Sequence, residues 1–289
     1  MKQFFYILLL LNIYKLNSQV TVNGINKQNH ELLRNATTYF VVPEFDTDNL
    51  NEYKRMLNDV WTFNKLTVIT SKEASKIDFK DENNARIAFS TVNYYQLGST
   101  SISFRDIQLH YNLYIKNVLF LAAFVRFKTK TDEVLDQFGL VKNNAYYIYS
   151  LGVLKNCMQQ LNASLLARKP IGTNQFEKPT KEEVIKISSD TVFIPDYIKK
   201  HCDSDINSLL SNATFKTKLI SSEELNKKIL NCKKSFYYLV LNSKAGNVSK
   251  FVDIVDAFNG KCVFNYWEQY VSLFNEKDIK RLNKFFGNN

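Results

Sequence analysis

Apolar and polar positions recur in the same order in two separate parts of the chain. Each part has a short apolar run that ends in proline, then an acidic loop, a helix-like stretch, and a phenylalanine before a second apolar run. Pro43 and Phe63 are 20 positions apart in the first part, and Pro195 and Phe215 are also 20 positions apart in the second. The match predicts an internal duplication, with one strand–helix–strand–helix unit in each half of the chain.

Capping signals support the same division. Thr70 and Glu73 in the first part, and Ser221 and Glu224 in the second, have the spacing of a capping box directly after the second apolar run. In such a box the hydroxyl oxygen accepts a hydrogen bond from a backbone amide at the start of a helix, and the carboxylate reaches back to the capping residue. We therefore expect a helix to begin at both places.

Helical spacing of apolar residues predicts two further helices. One covers 50–61, and either Asp48 or Asn49 is expected to cap it. A longer apolar stripe predicts a helix over 145–168. The segment 169–181 contains proline and glycine and predicts a linker, so the boundary between the two units is expected near residues 170–188.

Alternation with a period of two predicts strands. Residues 106–116 alternate between apolar and polar, as in a strand with one wet face, and the apolar run 118–127 predicts a buried strand that pairs with it. In the second half, Asn259 and Gly260 are typical of a type I′ hairpin turn. A C-terminal helix is expected over 267–286.

Together these patterns predict an α+β fold of two related βαβα-plus-antiparallel-strand units joined by a long helix. The expected organisation is a signal peptide at 1–19, a first unit at 20–144, a linking helix and linker at 145–188, and a second unit at 189–289. The chain has 289 residues, of which 45% are hydrophobic, and this is enough to bury a substantial core.

The N-terminus has the order of a secretory signal. Lys2 provides a positive charge, residues 4–11 form a short apolar core, and polar residues follow up to Ser18. This core is far shorter than the roughly 20 apolar residues that a membrane-spanning helix needs. The sequence therefore predicts an exported protein of the periplasm or the extracellular space, without a transmembrane span after the signal is cleaved.

The chain is basic, with 38 lysine and arginine residues against 28 aspartate and glutamate residues. Acidic residues lie among the lysines, however, and the abundance of lysine, asparagine, isoleucine, tyrosine and phenylalanine is what AT-rich codons produce. We therefore expect a dispersed surface charge and no nucleic acid partner, and binding of an acidic polymer is a less favoured class of function.

The four cysteines all lie in the second half of the chain and are candidates for a disulfide. They are Cys157, Cys202, Cys232 and Cys262. An even number in an exported chain permits three pairings, and we expect either no bridge or one. The Cys-x-x-Cys spacing of redox and zinc sites is absent from the sequence, so neither role is predicted.

Two acidic loops are the candidate ligand-binding sites. Both follow the C-terminal end of a predicted strand, where α/β folds place their binding sites. Their candidate residues are Glu44, Asp46 and Asp48 in the first loop and Asp196, Asp203 and Asp205 in the second. Helix capping explains the same acids, and Asp203 or Ser204 is expected to cap the next helix. The first loop does not have the EF-hand pattern, so we predict no metal and no cofactor.

The apolar run 40–42 with Pro43, and the later pattern Phe63-x-x-Leu66-Thr67-Val68-Ile69, resemble a half-motif of curli-secretion-protein and TolB N-terminal-type domains. In those families a strand that ends in proline leads to a helix, and the next strand follows a phenylalanine. The leader and the composition also resemble those of exported proteins of Bacteroidota. The resemblance implies an envelope-associated interaction domain, and it provides no catalytic residues to carry over.

Export, duplication and the lack of a catalytic motif in the sequence favour a non-enzymatic binding or scaffold protein of the cell envelope, with an envelope protein as partner. His201 and Cys202 stand beside the acids of the second loop, but no second cluster completes a catalytic set with them. The alternative is a small exported hydrolase, with or without a metal, that uses the acidic loops.

Overall fold

Two mixed β-sheets, one in each half of the chain, form the framework of the protein in the computed structural model. The residues that the structure describes are 20–21, 27–97, 103–115, 118–128, 150–169, 179–243, 249–269, 271 and 273–287. The whole predicted signal peptide, the start of the predicted linking helix and most of the predicted linker therefore lie outside the described residues.

The first sheet contains six strands. In chain order they are β1 (Val20–Thr21), β2 (Thr37–Val42), β3 (Leu66–Thr70), β4 (Asn84–Leu97), β5 (Ser103–Ile115) and β6 (Val118–Lys128). Their order across the sheet is β1-β6-β5-β4-β2-β3. β2 runs parallel to both β3 and β4, and the other pairs are antiparallel.

The second sheet contains five strands. They are β7 (Val192–Pro195), β8 (Thr217–Ile220), β9 (Tyr237–Ser243), β10 (Ser249–Asp256) and β11 (Cys262–Gln269). Their order is β11-β10-β9-β7-β8, with β7 parallel to β8 and β9 and the remaining pairs antiparallel.

The two sheets share one topology. From β2 to β6 and from β7 to β11, the strands have the same order across the sheet and the same directions. The predicted α+β class is therefore confirmed. The internal duplication fits this shared topology, but its origin from one ancestral unit stays a prediction.

The described residues form eight α-helices, distributed over both halves of the chain. They are α1 (Lys27–Asn35), α2 (Leu50–Val60), α3 (Ser71–Ala74), α4 (Leu151–Ala167), α5 (Lys181–Ser189), α6 (Ile206–Ser211), α7 (Ser222–Leu230) and α8 (Glu276–Gly287). A 3₁₀ helix directly follows each of the two prolines, at Glu44–Asn49 and at Asp196–His201. Among the described residues, no helix combines the length and the apolar character that crossing a membrane requires.

Helix α4 connects the two halves through buried asparagines. Asn162 Oδ1 accepts hydrogen bonds from the backbone amides of Thr62 and Phe63, both at 2.9 Å. One and a half turns earlier, Asn156 Nδ2 donates to the carbonyl of Ala257 at 2.9 Å. The side-chain amides of these two asparagines form hydrogen bonds with backbone groups of loops, outside the sheets. Helix α4 thereby fixes one loop of each half. The same contacts bury the Asn162 side chain, which belongs to one of the Asn-x-Ser/Thr sequons of the chain.

All three predicted helix starts are confirmed, but the predicted cap of one of them is not formed. Thr70 and Glu73 form both hydrogen bonds of the capping box at α3. At α7, Ser221 accepts from the amide of Glu224. Asn49, however, makes no capping hydrogen bond, because a 3₁₀ helix leads directly into α2 and supplies the preceding turn.

The predicted type I′ turn is also wrong. The connection between β10 and β11 comprises the five residues 257–261, among which only Gly260 has a positive φ, of 74°. Its amide donates to the carbonyl of Asp256 at 2.8 Å, and Asp256 Oδ1 accepts from the amide of Phe258. These bonds select a wider loop than the two-residue turn. After it, β11 continues to Gln269, so the C-terminal helix begins at Glu276 and not at residue 267.

All four cysteines are free thiols in the structure. Cys157 lies on α4, Cys202 follows the second 3₁₀ helix, Cys232 follows α7, and Cys262 begins β11. The disulfide considered from the sequence is therefore not formed here.

Candidate functional site

The predicted acidic loops use most of their carboxylates for local contacts. Asp46 accepts from Asn49 Nδ2 and from the Tyr53 hydroxyl, both at 2.6 Å. Asp196 Oδ1 accepts from the amide and the hydroxyl of Ser222, at 3.0 and 2.7 Å, and so caps α7 from a distance in sequence. These two acids stabilise helix starts, which agrees with the capping interpretation of the loops.

The remaining acids of the loops lie at the surface. Glu44, Asp48 and Asp203 are exposed. Asp205 caps α6 by accepting from the amide of Ser208 at 2.8 Å, so the expectation that Asp203 or Ser204 would cap this helix is wrong. The two loops follow strands of different sheets and do not share residues. Ligand binding by these acids stays a prediction.

The expectation that the protein binds no metal also stays a prediction. Within the described ranges, no group of three or more histidine, cysteine, aspartate or glutamate residues could hold a metal ion. Burial raises the pKa of Cys202 to about 11, with the negative charge of Asp203 as the next cause. The thiol beside His201 is thus held in its protonated form.

The second sheet buries a polar cluster that the sequence analysis missed. Asp253 is 2% exposed on β10, and Asn265 Nδ2 donates a hydrogen bond to it. Burial raises the pKa of Asp253 to about 7. Asn242 is on the same face, and its Oδ1 atom has no hydrogen-bond partner in the described part of the chain. Asp253 and Asn242 are buried, whereas Asn265 is only partly buried.

A buried ion pair joins α8 to the opposite face of the second sheet. Lys250 Nζ contacts Asp278 Oδ2 at 2.7 Å and the carbonyl of Leu273 at 2.6 Å, and both charged side chains are fully buried. Glu268 Oε2 is 3.4 Å from the same ammonium. Since opposite charges are matched and hydrogen-bonded, we assign this group to the anchoring of α8.

One face of the first sheet is much less buried than the other face of the same strands. We define the open face by seven residues of β2, β3, β4 and β5, namely Tyr39, Val41, Thr67, Ile69, Arg86, Ala88 and Tyr114. Six of them are partly exposed, and only Ile69 is buried. The opposite face of the same strands is covered by α2, and Phe40, Val42 and Ile87 there are almost fully buried.

Strand register aligns four side chains of the open face in one row. Thr67 pairs with Tyr39, Tyr39 pairs with Arg86, and Arg86 pairs with Tyr114. Paired residues of neighbouring strands project to the same side of a sheet. The row therefore crosses β3, β2, β4 and β5 with Arg86 between two tyrosines.

Arg86 lies between two aromatic rings. Its guanidinium carbon is 5.0 Å from the centre of the Tyr114 ring and 5.2 Å from that of Phe79, which comes from the loop before β4. Phe79 in turn meets Tyr39 edge-to-face, with 5.9 Å between ring centres. Both ring contacts are within the distance of a cation–π interaction and hold the guanidinium in place. The Nε atom is buried and has no hydrogen-bond partner in the described part of the chain.

The corresponding face of the second sheet is covered at β9, where Tyr238 is buried, while Phe193 on β7 is partly exposed and its partner on β8, Lys218, is exposed. Val41 stands two residues before Pro43 at the end of β2, and Phe193 stands two residues before Pro195 at the end of β7. The two residues therefore hold equivalent positions, and the face of Phe193 corresponds to the open face. Phe193 pairs with Tyr238, whose hydroxyl donates to Asn156 of α4 at 2.9 Å. Lys228 of α7 covers Phe193 itself, at 5.0 Å from the ring. Two helices thus cover the β9 part of the surface whose counterpart in the first sheet is open.

Sequence reasoning missed the open face because it depends on register. The alternation of Tyr39 and Val41, and of Thr67 and Ile69, shows that these strands have a second, less buried face. Only the pairing of β4 with β2 and β5 brings Arg86 beside them.

Comparison of the chain with protein-family models, with curated proteins and with solved structures gave no match.

Proposed function

We propose that the protein is an exported, non-enzymatic binding or scaffold protein whose open face receives a helix of an envelope protein. A single observation carries this proposal. Among the described residues, α4 and α7 cover β9 and the ring of Phe193 on the counterpart of the open face, whereas only the four-residue α3 and the loop after it lie near the open face.

The covered face shows which kind of element fits such a surface. α4 extends over 17 residues, and it contacts α7 closely at Gly152, whose amide donates to Asn226 Oδ1 at 2.7 Å. A helix of similar length spans about 25 Å at 1.5 Å per residue, enough to cross several strands. The open face offers a mixture of aromatic, aliphatic and hydroxyl side chains, as protein-binding surfaces commonly do.

The exported location is part of the proposal and rests on the leader. Strand β1 begins at Val20, the first residue after the expected signal peptide. Fractionation of host cells and intact-mass measurement are expected to find a shortened chain outside the cytoplasm. A full-length chain in the cytoplasm would contradict export.

Photocrosslinking in the native host tests the docking surface. A benzophenone amino acid at Thr67 or Ala88 would probe the open face, and the same group at exposed Lys186 or Lys227 would serve as the control. We expect one envelope protein to be captured from the open face and not from the controls, with the crosslinked peptide in an amphipathic helix. Equal capture at all four positions, or none at the open face, would contradict the proposal.

A further inference from the structure

We infer that Arg86 binds a carboxylate on the helix that docks at the open face. This inference rests on the proposed function and adds the chemistry of recognition. Arg86 is the one charged residue among the seven that define the open face, and it stands in the middle of the row that crosses four strands. The partner is therefore expected to place an Asp or Glu side chain within an otherwise apolar contact.

The protein itself contains a second arginine stacked on a ring, which shows what such a group does when it has a partner. The guanidinium of Arg281 lies 4.5 Å from the centre of the Tyr266 ring. Its NH1 atom is 3.4 Å from Glu268 Oε2, and its NH2 atom is 3.5 Å from Glu268 Oε1. The ring orients the flat cation, and its edge faces a carboxylate.

Arg86 has the same ring contacts without the carboxylate. Two rings hold it instead of one, and no acidic side chain of the described residues forms an ion pair with it. The Nε–H is buried without an acceptor in the described part of the chain, so an external partner meets the outer edge of the guanidinium, formed by its two Nη atoms, as Glu268 does at Arg281. A carboxylate that approached along the edge of the guanidinium would supply two acceptors in the geometry of the fork.

The surroundings favour a carboxylate over a phosphate. The backbone amides of β2 and β4 near Arg86 are paired with neighbouring strands, so the sheet does not present the cluster of free N–H groups that phosphate sites use. Tyr39, Val41 and Ala88 around the cation are uncharged and largely apolar. One guanidinium with an apolar rim matches one carboxylate on an amphipathic helix.

Arginine side-chain NMR tests this inference directly. The ¹⁵Nε–¹Hε signal of Arg86 would be followed in the purified protein during titration with phenylacetate, a carboxylate attached to an apolar ring. Phenylacetamide has a similar shape without the charge, and inorganic phosphate has charge without the apolar group. We expect a saturable shift of the Arg86 signal with phenylacetate alone, while exposed Arg55 and the already paired Arg281 change little.

Variants make the assignment specific. Arg86→Lys keeps the charge but loses the planar fork, and we expect it to weaken phenylacetate binding about tenfold or more. Arg281→Lys is the matched control and should bind as the wild type does. An Arg86 signal that moves no more than that of Arg55, or unchanged binding by Arg86→Lys, would overturn the inference.

The two proposals can fail separately. Crosslinking from Thr67 and Ala88 without a response of Arg86 to phenylacetate would leave a docking surface whose specificity does not depend on a carboxylate. A saturable response of Arg86 without crosslinking to a protein would keep the carboxylate site and reject the helix as its source.

Discussion

His30 Nδ1 accepts a hydrogen bond from Arg168 Nε at 3.0 Å, and this contact fixes the chemical form of a fully buried histidine. Because the guanidinium can only donate, Nδ1 is unprotonated. The other ring nitrogen, Nε2, is 2.7 Å from the carbonyl of Leu165 and therefore carries the proton. The ring thus joins α1 to the last turn of α4, where Arg168 has a left-handed conformation with φ of 52°.

We predict that replacing His30 with phenylalanine destabilises the protein by about 2–3 kcal/mol. The variant would keep an aromatic ring against Phe63, whose centre is 5.2 Å from that of His30, but it would leave Arg168 Nε without an acceptor. Urea denaturation measures the free energy of unfolding. Glu31→Gln on the exposed side of α1 is the control, and a His30→Phe protein as stable as this control would contradict the assigned role.

Two glycines provide a matched test of loop geometry. At Gly260 a Cβ atom would lie 2.5 Å from the carbonyl oxygen of Asn156, and the φ of 74° disfavours any residue with a side chain. At Gly287 a Cβ atom would meet nothing within 4 Å. We expect Gly260→Ala to lower the free energy of unfolding by about 2–4 kcal/mol and Gly287→Ala to change it by less than about 0.5 kcal/mol. Equal effects would show that the loop does not depend on its contact with α4.

Local signals in the sequence predicted local features of this fold. The apolar runs that end at Pro43 and Pro195 form strands β2 and β7, and the box at Thr70 and Glu73 forms as expected. Such features depend on residues within one turn of each other, so they can be identified without knowledge of the fold. The same reasoning failed at Asn259, because contacts of Asp256 with its own loop determine the shape of that turn.

Features that depend on pairing between distant segments could not be predicted in this way. The register of β4 and β5 places Arg86 beside Tyr114, and the loop before β4 brings Phe79 to the same guanidinium. Asp253 stands on β10 between Phe251 and Val255, on the face where Asn156 of α4 contacts Tyr238, and it is 2% exposed. A carboxylate in a strand is ordinarily a sign of exposure, and its burial follows from the packing of a helix that belongs between the units.

The cysteines give a prediction about reactivity. Burial raises the pKa of Cys157 and of Cys262 well above the usual value, and it also raises the pKa of Cys232. Since the thiolate is the reactive form, we expect four thiols to react quickly with a disulfide reagent in denaturant at pH 8, and much more slowly in the native protein. Cys157 is buried on α4 and should react last. A count of two thiols in protein from the native host would reveal a disulfide and contradict the free thiols seen here.

Asp253 gives the protein a pH dependence of known sign. Burial raises its pKa from the ordinary value of 3.8 to about 7, so between these values the folded protein holds a proton that the unfolded chain has lost. The stability that this proton provides is fully present below about pH 4 and is lost as the pH rises through 7. We expect this one group to lower the free energy of unfolding by roughly 2–4 kcal/mol between pH 4 and pH 8.

Asp253→Asn tests this assignment because it keeps the acceptor for Asn265 and removes the charge. The variant is expected to be more stable than the wild type at pH 8 and to lose the decline between pH 5 and pH 8 in urea denaturation. Tyr197 and Tyr238 beside the cluster do not titrate in this range, because burial raises the pKa of both hydroxyls. Asp59→Asn on the exposed surface of α2 should keep the wild-type slope. If Asp253→Asn kept it as well, the decline would have to come from another group, and Asp253 would be ionised in the folded protein at pH 6.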